Sequence, residues 1–549
     1  MVVLGNPPYS GHSANKGKWI ANLLNEYKKS PELNKPAQAK WLSDDYVKFL
    51  RFSQWRIEQT GYGVLAFITN HSYLDNPTFL DMRRSLMDSF DDIYVLDLHG
   101  STKKKERDPD GGKDENVFDI QQGVAITLLV RRSARAPHCT VRRAELWGTR
   151  PTKYAWLESS DVTKTSWRDI TPQQSPWLFV GQDADLSTEY ERGWSIKEAM
   201  NQHGDPVPGF ATQHDDFAIS FSKAEAIDKV NSLLATQTET QAREIFQLCA
   251  QNQWSYARAK QQLTVNDAKE HLIEIDYRPY DLRFTIYNRN VLTHRRERIS
   301  PLMMKPNIAL VVPKNAESIG GGNSQFFFCV NKPTDLNFFR RGGAYLIPLW
   351  IYEKDEKTLF NKSCKLQKKA NFSPEFVEEA YSKLGNSRAT SHKLFSYIYA
   401  LLYSRGYKEK YDALLKRGFP RVPVTTDVSL FDALAELGQN LINLHLMNTF
   451  GEDEPDYPVA GSNRIDTVTF QKGRIFINKD QYFDRIEQVV WDYQIGGYPL
   501  AEKYLKDRKG RQLTFNELAH YRRIIAAIRA TGDIQDEIDE TIPRWPLHR

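Results

Sequence analysis

Four residues near the start of the chain restrict its fold more than any bulk property does: Asn6-Pro7-Pro8-Tyr9, set directly after the apolar run Val2-Val3-Leu4. Two prolines fix the backbone, and the apolar run reads as the end of a buried strand. In an open α/β sheet, ligands bind beyond the carboxyl ends of the strands, which is where this tetrapeptide must lie. The Asn6 side chain and the Pro7 carbonyl can then be held as two preorganised acceptors around one amino group, with Tyr9 as a flat face beside them.

That arrangement suits one kind of chemistry. An exocyclic amine conjugated to a purine is a poor nucleophile, because its lone pair is delocalised into the ring. Two acceptors on its hydrogens favour a localised lone pair, aligned for attack on a methyl donor held close by. A base within a duplex is out of reach and has to be flipped into the pocket, where Tyr9 can stack on it.

The strand and helix signals up to about residue 135 are those of an α/β sheet with parallel strands. Ser43 is a plausible cap for a helix running to Gln59, and Gly61 is its stop. Gly63 to Thr69 (GVLAFIT) reads as a second buried strand, residues 76 to 89 as an amphipathic helix, Ile93 to Leu98 as a third strand and Gly123 to Val130 as a fourth. A domain boundary is placed near 150, giving a catalytic part at 1–150. Residues 151–370 read as α+β, with strands at Ile308 to Val312 and Gln325 to Val330 and helices near 223–236 and 240–263. Residues 371–549 read as mainly helical, with helices around 394–403, 407–415, 430–449 and 515–529 and a hairpin near 467–478. With 549 residues, several cores are required. The net charge of +5 suits an anionic partner without identifying one. Cys139, Cys249, Cys329 and Cys364 are too sparse for a disulfide framework and read as reduced thiols of a cytoplasmic protein. There is no run of apolar residues long enough to span a membrane.

The string NPPY after a strand is the signature of the amino-methyltransferases, and nearly the whole chain resembles the C-terminal half of type ISP restriction-modification enzymes. The matching blocks are GNPPYSG, GVLAFITNHSYLDNPTFLDMRRSLM, NVFDIQQGVAITLLVRR, YRPYDLRF, FSYIYALLYSRGYKEKY and GYPLAEKYLKDRKGRQLTFNELAHY. The resemblance implies a partial Rossmann-like methyltransferase sheet lacking its N-terminal strands, then an α+β target-recognition region ending in a mainly helical part. It implies adenine-N6 methylation of DNA with S-adenosylmethionine as donor, Asn6, Pro7, Pro8 and Tyr9 as catalytic residues, and Phe118 packing against the target base. Double-stranded DNA is the implied partner.

The family's glycine-rich, donor-cradling turn is not found, so no cofactor-binding residue is assigned. Gly61-Tyr62-Gly63 runs from helix into strand, the wrong polarity, and Gly320 to Gly322 has no following helix. Gly11 to Lys18 (GHSANKGK) looks like a phosphate-binding loop, but it has five intervening residues instead of four and Trp19 where Ser or Thr is needed. No tetrahedral metal spacing appears. Four strands of a sheet that normally has seven imply a fragment, a truncated product, or a subunit whose partner polypeptide supplies the rest. For DNA contacts the candidates are Lys103 to Lys105, the loop of His294, Arg295, Arg296 and Arg298, the pair Arg340 and Arg341, and Lys506 to Arg511. Two alternatives remain: a DNA-recognition module without activity, and a methyltransferase acting on RNA or protein.

Overall fold

The computed structural model describes residues 1–9, 13–33, 39–102, 108, 112–170, 172, 177–180, 184–249, 254–313, 325–339, 343–354, 366–385, 389–416 and 418–547. By its internal contacts the chain divides into two units, Met1–Ser187 and Thr188–Arg549.

The first unit is built on one six-stranded sheet. Its strands are β1 (Val2–Gly5), β2 (Gly63–Asn70), β3 (Asp92–Asp97), β4 (Val124–Arg131), β5 (Thr140–Glu145) and β6 (Arg168–Ile170), in the order β1-β2-β4-β3-β5-β6. β1 lies parallel to β2 and β3 to β5, but β4 runs antiparallel to both of its neighbours, β2 and β3. The sheet is therefore mixed, and the expectation of parallel strands is corrected. Hydrophobic periodicity reports which face of a strand is buried and carries no information on its direction. β5 and β6, with sequences TVRRAE and RDI, escape the same reading because they are polar. The sheet consequently extends past residue 150.

Helices α1 (Lys18–Leu23), α2 (Asp45–Thr60), α3 (Leu80–Ser89) and α4 (Arg150–Ser159) flank the sheet. Asp44, not Ser43, stands at the cap position of α2; Gly61, at φ 85°, ends the helix in the left-handed conformation that glycine adopts freely. Tyr46, Val47, Leu50 and Ile57 on one face of α2 join Leu65 and Phe67 of β2, Met82 and Leu86 of α3, and Ile93 of β3 in one buried core. β1 departs from its reading as a buried strand, since Val2 is 72% and Leu4 78% exposed. β1 pairs with β2 along one edge, and no strand among the described residues pairs with the other edge of β1.

In the second unit the hairpin Leu272–Arg278 and Asp281–Ile286 packs with Phe217, Val230, Leu233 and Trp254. A four-stranded antiparallel sheet joins, in order, Phe328–Val330, Ala309–Pro313, Ala344–Pro348 and Val207–Pro208. The single helix expected over 240–263 is two, Glu239–Phe246 and Tyr256–Gln262, because Gln247 turns left-handed at φ 48°. Helices Ser391–Tyr403, Arg405–Leu415, Val428–His445 and Phe515–Thr541 form a helical layer, the last running further than its periodicity indicated. Strands Thr469–Gln471 and Arg474–Phe476 make the expected small hairpin. No described helix is long and apolar enough to cross a membrane.

Candidate functional site

Because β1 and β2 are parallel and β3 runs the same way in the sheet, their carboxyl ends share one edge of it. Asn6 to Tyr9 leave β1 there. Pro7 is buried, Asn6 and Pro8 are exposed, and Tyr9 is half-buried. The Tyr9 hydroxyl donates to Asn6 Oδ1 at 2.8 Å and lies 3.1 Å from the carbonyl oxygen of Ile68 on β2. Its ring meets Tyr46 of α2 edge-on, with centroids 6.4 Å apart. Burial pushes the Tyr9 phenol up to about 12, so it remains a neutral donor. An amide oxygen has two lone pairs. Tyr9 uses one of them and orients the Asn6 side chain.

Phe118 belongs to a neighbouring apolar cluster with Leu96, Leu98, Val117, Val124 and Ile68. Ile68 thus links the two features, its carbonyl facing Tyr9 and its side chain packing in the cluster of Phe118. Half-buried Phe118 also lines a cavity of about 620 Å³ together with Asn116, Asp119, Gln121 and Arg150. The segment is held from behind. Arg150 donates to the carbonyls of Asn116 and Phe118 at 2.7 and 2.9 Å. Lys153 of α4 makes a fully buried ion pair with Asp114 at 2.6 Å, and Asp114 accepts from the backbone N–H groups of Gly100 and Gly148. Gly100, at φ 82°, is irreplaceable on steric grounds, since a Cβ there would lie 2.4 Å from the Cα of Asn116.

The same edge carries a buried polar network that sequence reasoning missed. Asp97, at the end of β3, accepts from the Arg143 guanidinium at 2.8 Å and from the His99 backbone at 3.1 Å, and lies 3.0 Å from His71 Nδ1. Burial alone would raise the Asp97 carboxyl, but His71, His99 and Arg143 together hold it well below the usual carboxylate range. His99 stacks on Trp147 with centroids 3.3 Å apart and reaches Glu145 at 3.2 Å. His71, Asp97 and His99 lie close enough to share a metal ion. Arg143 already neutralises the carboxylate, and the imidazoles, one at 3.0 Å from Asp97 and the other stacked on Trp147, fit a structural clamp better. The only sequence sign was a histidine shortly after each of two strands, in ITNHS and LDLHG.

The basic loop of the second unit is less free than its composition suggests. Arg295 pairs with Glu297 and lies over the Tyr287 ring at 5.7 Å. Arg296, at φ 55°, is half-buried; Arg298 is exposed and donates to the Asp205 carbonyl. Arg508, in the cluster Lys506 to Arg511, is buried and pairs with Asp281 at 2.7 Å, so it faces inward. Lys103 to Lys105, Arg340, Arg341, Gly11 and Gly320 to Gly322 lie outside the described residues.

The architecture defines a class by its fold: a mixed α/β sheet unit followed by a larger α+β unit is shared with solved Type ISP restriction-modification enzymes. A solved structure described as the ATP-dependent Type ISP restriction-modification enzyme LlaBIII bound to DNA is similar over 99% of this chain and 37% of its own, with a TM-score of 0.71 and 21% identity. A DrdV-DNA complex gives 0.70 and 19%, covering 99% and 57%. A nuclease-deletion mutant of the Type ISP enzyme LlaGI with a DNA substrate mimic gives 0.69 and 18%, covering 99% and 52%. The chain thus spans between about a third and three fifths of these proteins. Residues 205–537, more than half of the chain, match the family described as the Type ISP C-terminal specificity domain, and the chain belongs to that family. No curated protein matches.

Proposed function

We propose that this chain recognises a specific duplex DNA site in a restriction-modification system and carries the target-base half of an adenine-N6 methyltransferase. The observation behind this reading is the Asn6 to Tyr9 loop, braced on Ile68 at the carboxyl end of β1, in a chain whose larger part belongs to a specificity-domain family. In this reading the first unit has a Rossmann-like methyltransferase origin. The free lone pair of Asn6 Oδ1 and the Pro7 carbonyl accept the two hydrogens of a flipped adenine's amino group, Tyr9 stacks on its ring, and Phe118 packs against it.

The methyl donor of such an enzyme is S-adenosylmethionine, and the residues described here do not make its pocket. Gly61 and Gly63 join α2 to β2, so their backbone amides do not form a strand-to-helix cradle. In this reading the donor half is supplied by another polypeptide segment, and no catalytic step is assigned to this chain alone. That same observation favours a second reading, a recognition module without activity.

Calorimetry with S-adenosylmethionine and fluorescence anisotropy with duplex DNA test both readings on the purified chain. DNA binding without donor binding is the expected result. Donor binding at micromolar affinity would make the chain a methyltransferase in its own right, and no DNA binding would end both readings. In a completed enzyme, Asn6→Ala or Tyr9→Ala should abolish or severely reduce methyl transfer while leaving duplex affinity largely intact; loss of duplex binding would contradict the assignment.

A further inference from the structure

The described part of the segment resembling a phosphate-binding loop helps to build a basic cavity. Ser13 to Lys16, Ile20 and Ala21 of α1, Lys28, Lys40, Ser43 and Lys48 line a cavity of about 710 Å³. Lys48 of α2 anchors it. Its side chain is buried, and its Nζ donates to Ser13 Oγ at 2.6 Å and to the Asn15 carbonyl at 2.5 Å. An ammonium group has three donors, and no third acceptor for this one is present among the described residues. The loop is itself tied, with the Asn15 amide donating to Ser13 Oγ and the Gly17 amide to Asn15 Oδ1.

Around that anchor lysines outnumber carboxylates, with Asp44 and Asp45 as the nearby opposite charges. Among the described residues, none of Lys16, Lys28, Lys40 and Lys48 pairs with a carboxylate, whereas the neighbouring Lys29 pairs with Glu26 outside the cavity. Burial lowers the Lys48 ammonium from its usual value, and Lys16 and Lys28 lower it further against the pull of Asp45 and Asp44. An anion in the cavity relieves that repulsion and completes the Lys48 donor set.

The structure assigns this cavity to the sugar-phosphate backbone of the DNA strand whose base enters beside Asn6 and Tyr9. The assignment rests on the DNA reading above. Two observations select a backbone phosphodiester over a free phosphate. The loop begins within a few residues of Tyr9, and its anchor Lys48 belongs to α2, the helix whose Tyr46 ring meets Tyr9. The donors are dispersed lysine point charges, which suit positioning on a backbone and read no base.

The test is duplex affinity as a function of salt, measured by anisotropy for the full chain and for the combined variant Lys16→Gln, Lys28→Gln, Lys40→Gln. Lys48 is kept because it holds the loop. Circular dichroism and the urea midpoint establish that the variant is folded. Removing two to three phosphate contacts should flatten the salt slope by about two to three units and weaken binding on the order of a hundredfold at 0.1 M salt. Discrimination between cognate and non-cognate duplexes should be unchanged. Placing arginine at the three positions should restore the slope, and Lys29→Gln should leave it alone. Duplex binding by the parent chain with an unchanged slope in the variant overturns the cavity and leaves the DNA reading standing; no duplex binding by the parent chain overturns both. If the variant loses binding of inorganic phosphate but keeps its duplex slope, the cavity serves a free phosphate and the assignment falls.

Discussion

Asp97 concentrates the electrostatics of the sheet's carboxyl edge in one side chain. Its carboxyl is buried and held below its ordinary value of 3.8, so the stabilisation it contributes is present above that pH and is lost as pH falls through the lower folded-state value. Asp97→Asn should therefore be destabilised relative to the parent near neutrality, and the gap should narrow as pH drops below about 4; chemical denaturation at a series of pH values checks this, and a gap independent of pH would contradict it. Lys153→Met removes one partner of a fully buried pair and should cost about 3 to 5 kcal/mol, because the Asp114 charge is left uncompensated. These residues were illegible in the sequence for a physical reason. His71, Asp97 and Arg143 come from three different strands or strand ends, and nothing in local periodicity brings them together. The Asn6 to Tyr9 loop was legible because its residues are contiguous and the prolines set its backbone.

At the scale of elements, the layer of helices in the second unit depends on one close approach. Helix Val428–His445 packs against Ser391–Tyr403 at Gly438, where a Cβ would lie only 1.9 Å from the Ser396 carbonyl oxygen. Alanine is the better helix former by about 1 kcal/mol, but here the helices would have to separate. Gly438→Ala should lower stability by about 1 to 3 kcal/mol by overpacking, and a rise in the thermal midpoint would show that the packing yields more easily than the geometry indicates. These helices were legible from their periodicity, whereas the polar strands β5 and β6 were not. Arg142 and Arg143 on β5 look like surface charge in sequence and are ion-paired to Asp92 and Asp97 in the fold.

Over the whole molecule, residues far apart in sequence converge on Asp281. It pairs with Arg283 at 2.7 Å and with Arg508 at 2.7 Å, and Phe221 lies under both guanidinium groups. The blocks YRPYDLRF and GYPLAEKYLKDRKGRQLTFNELAHY thus meet through a buried charge network, and their shared pattern marks architecture at that point. Arg508→Met should destabilise the second unit, because it leaves the fully buried Asp281 with one guanidinium fewer; an unchanged thermal midpoint in calorimetry would contradict that role. The outer edge of β1 carries a different consequence. Its backbone amides and carbonyls have no strand beside them among the described residues, and Val2 and Leu4 present bare hydrocarbon to water. Such an edge is adhesive, a template on which any extended segment can crystallise into the sheet. Purified alone, this polypeptide should show concentration-dependent association in light scattering that Val2→Lys and Leu4→Lys suppress, so its colloidal behaviour would report whether that edge has been covered.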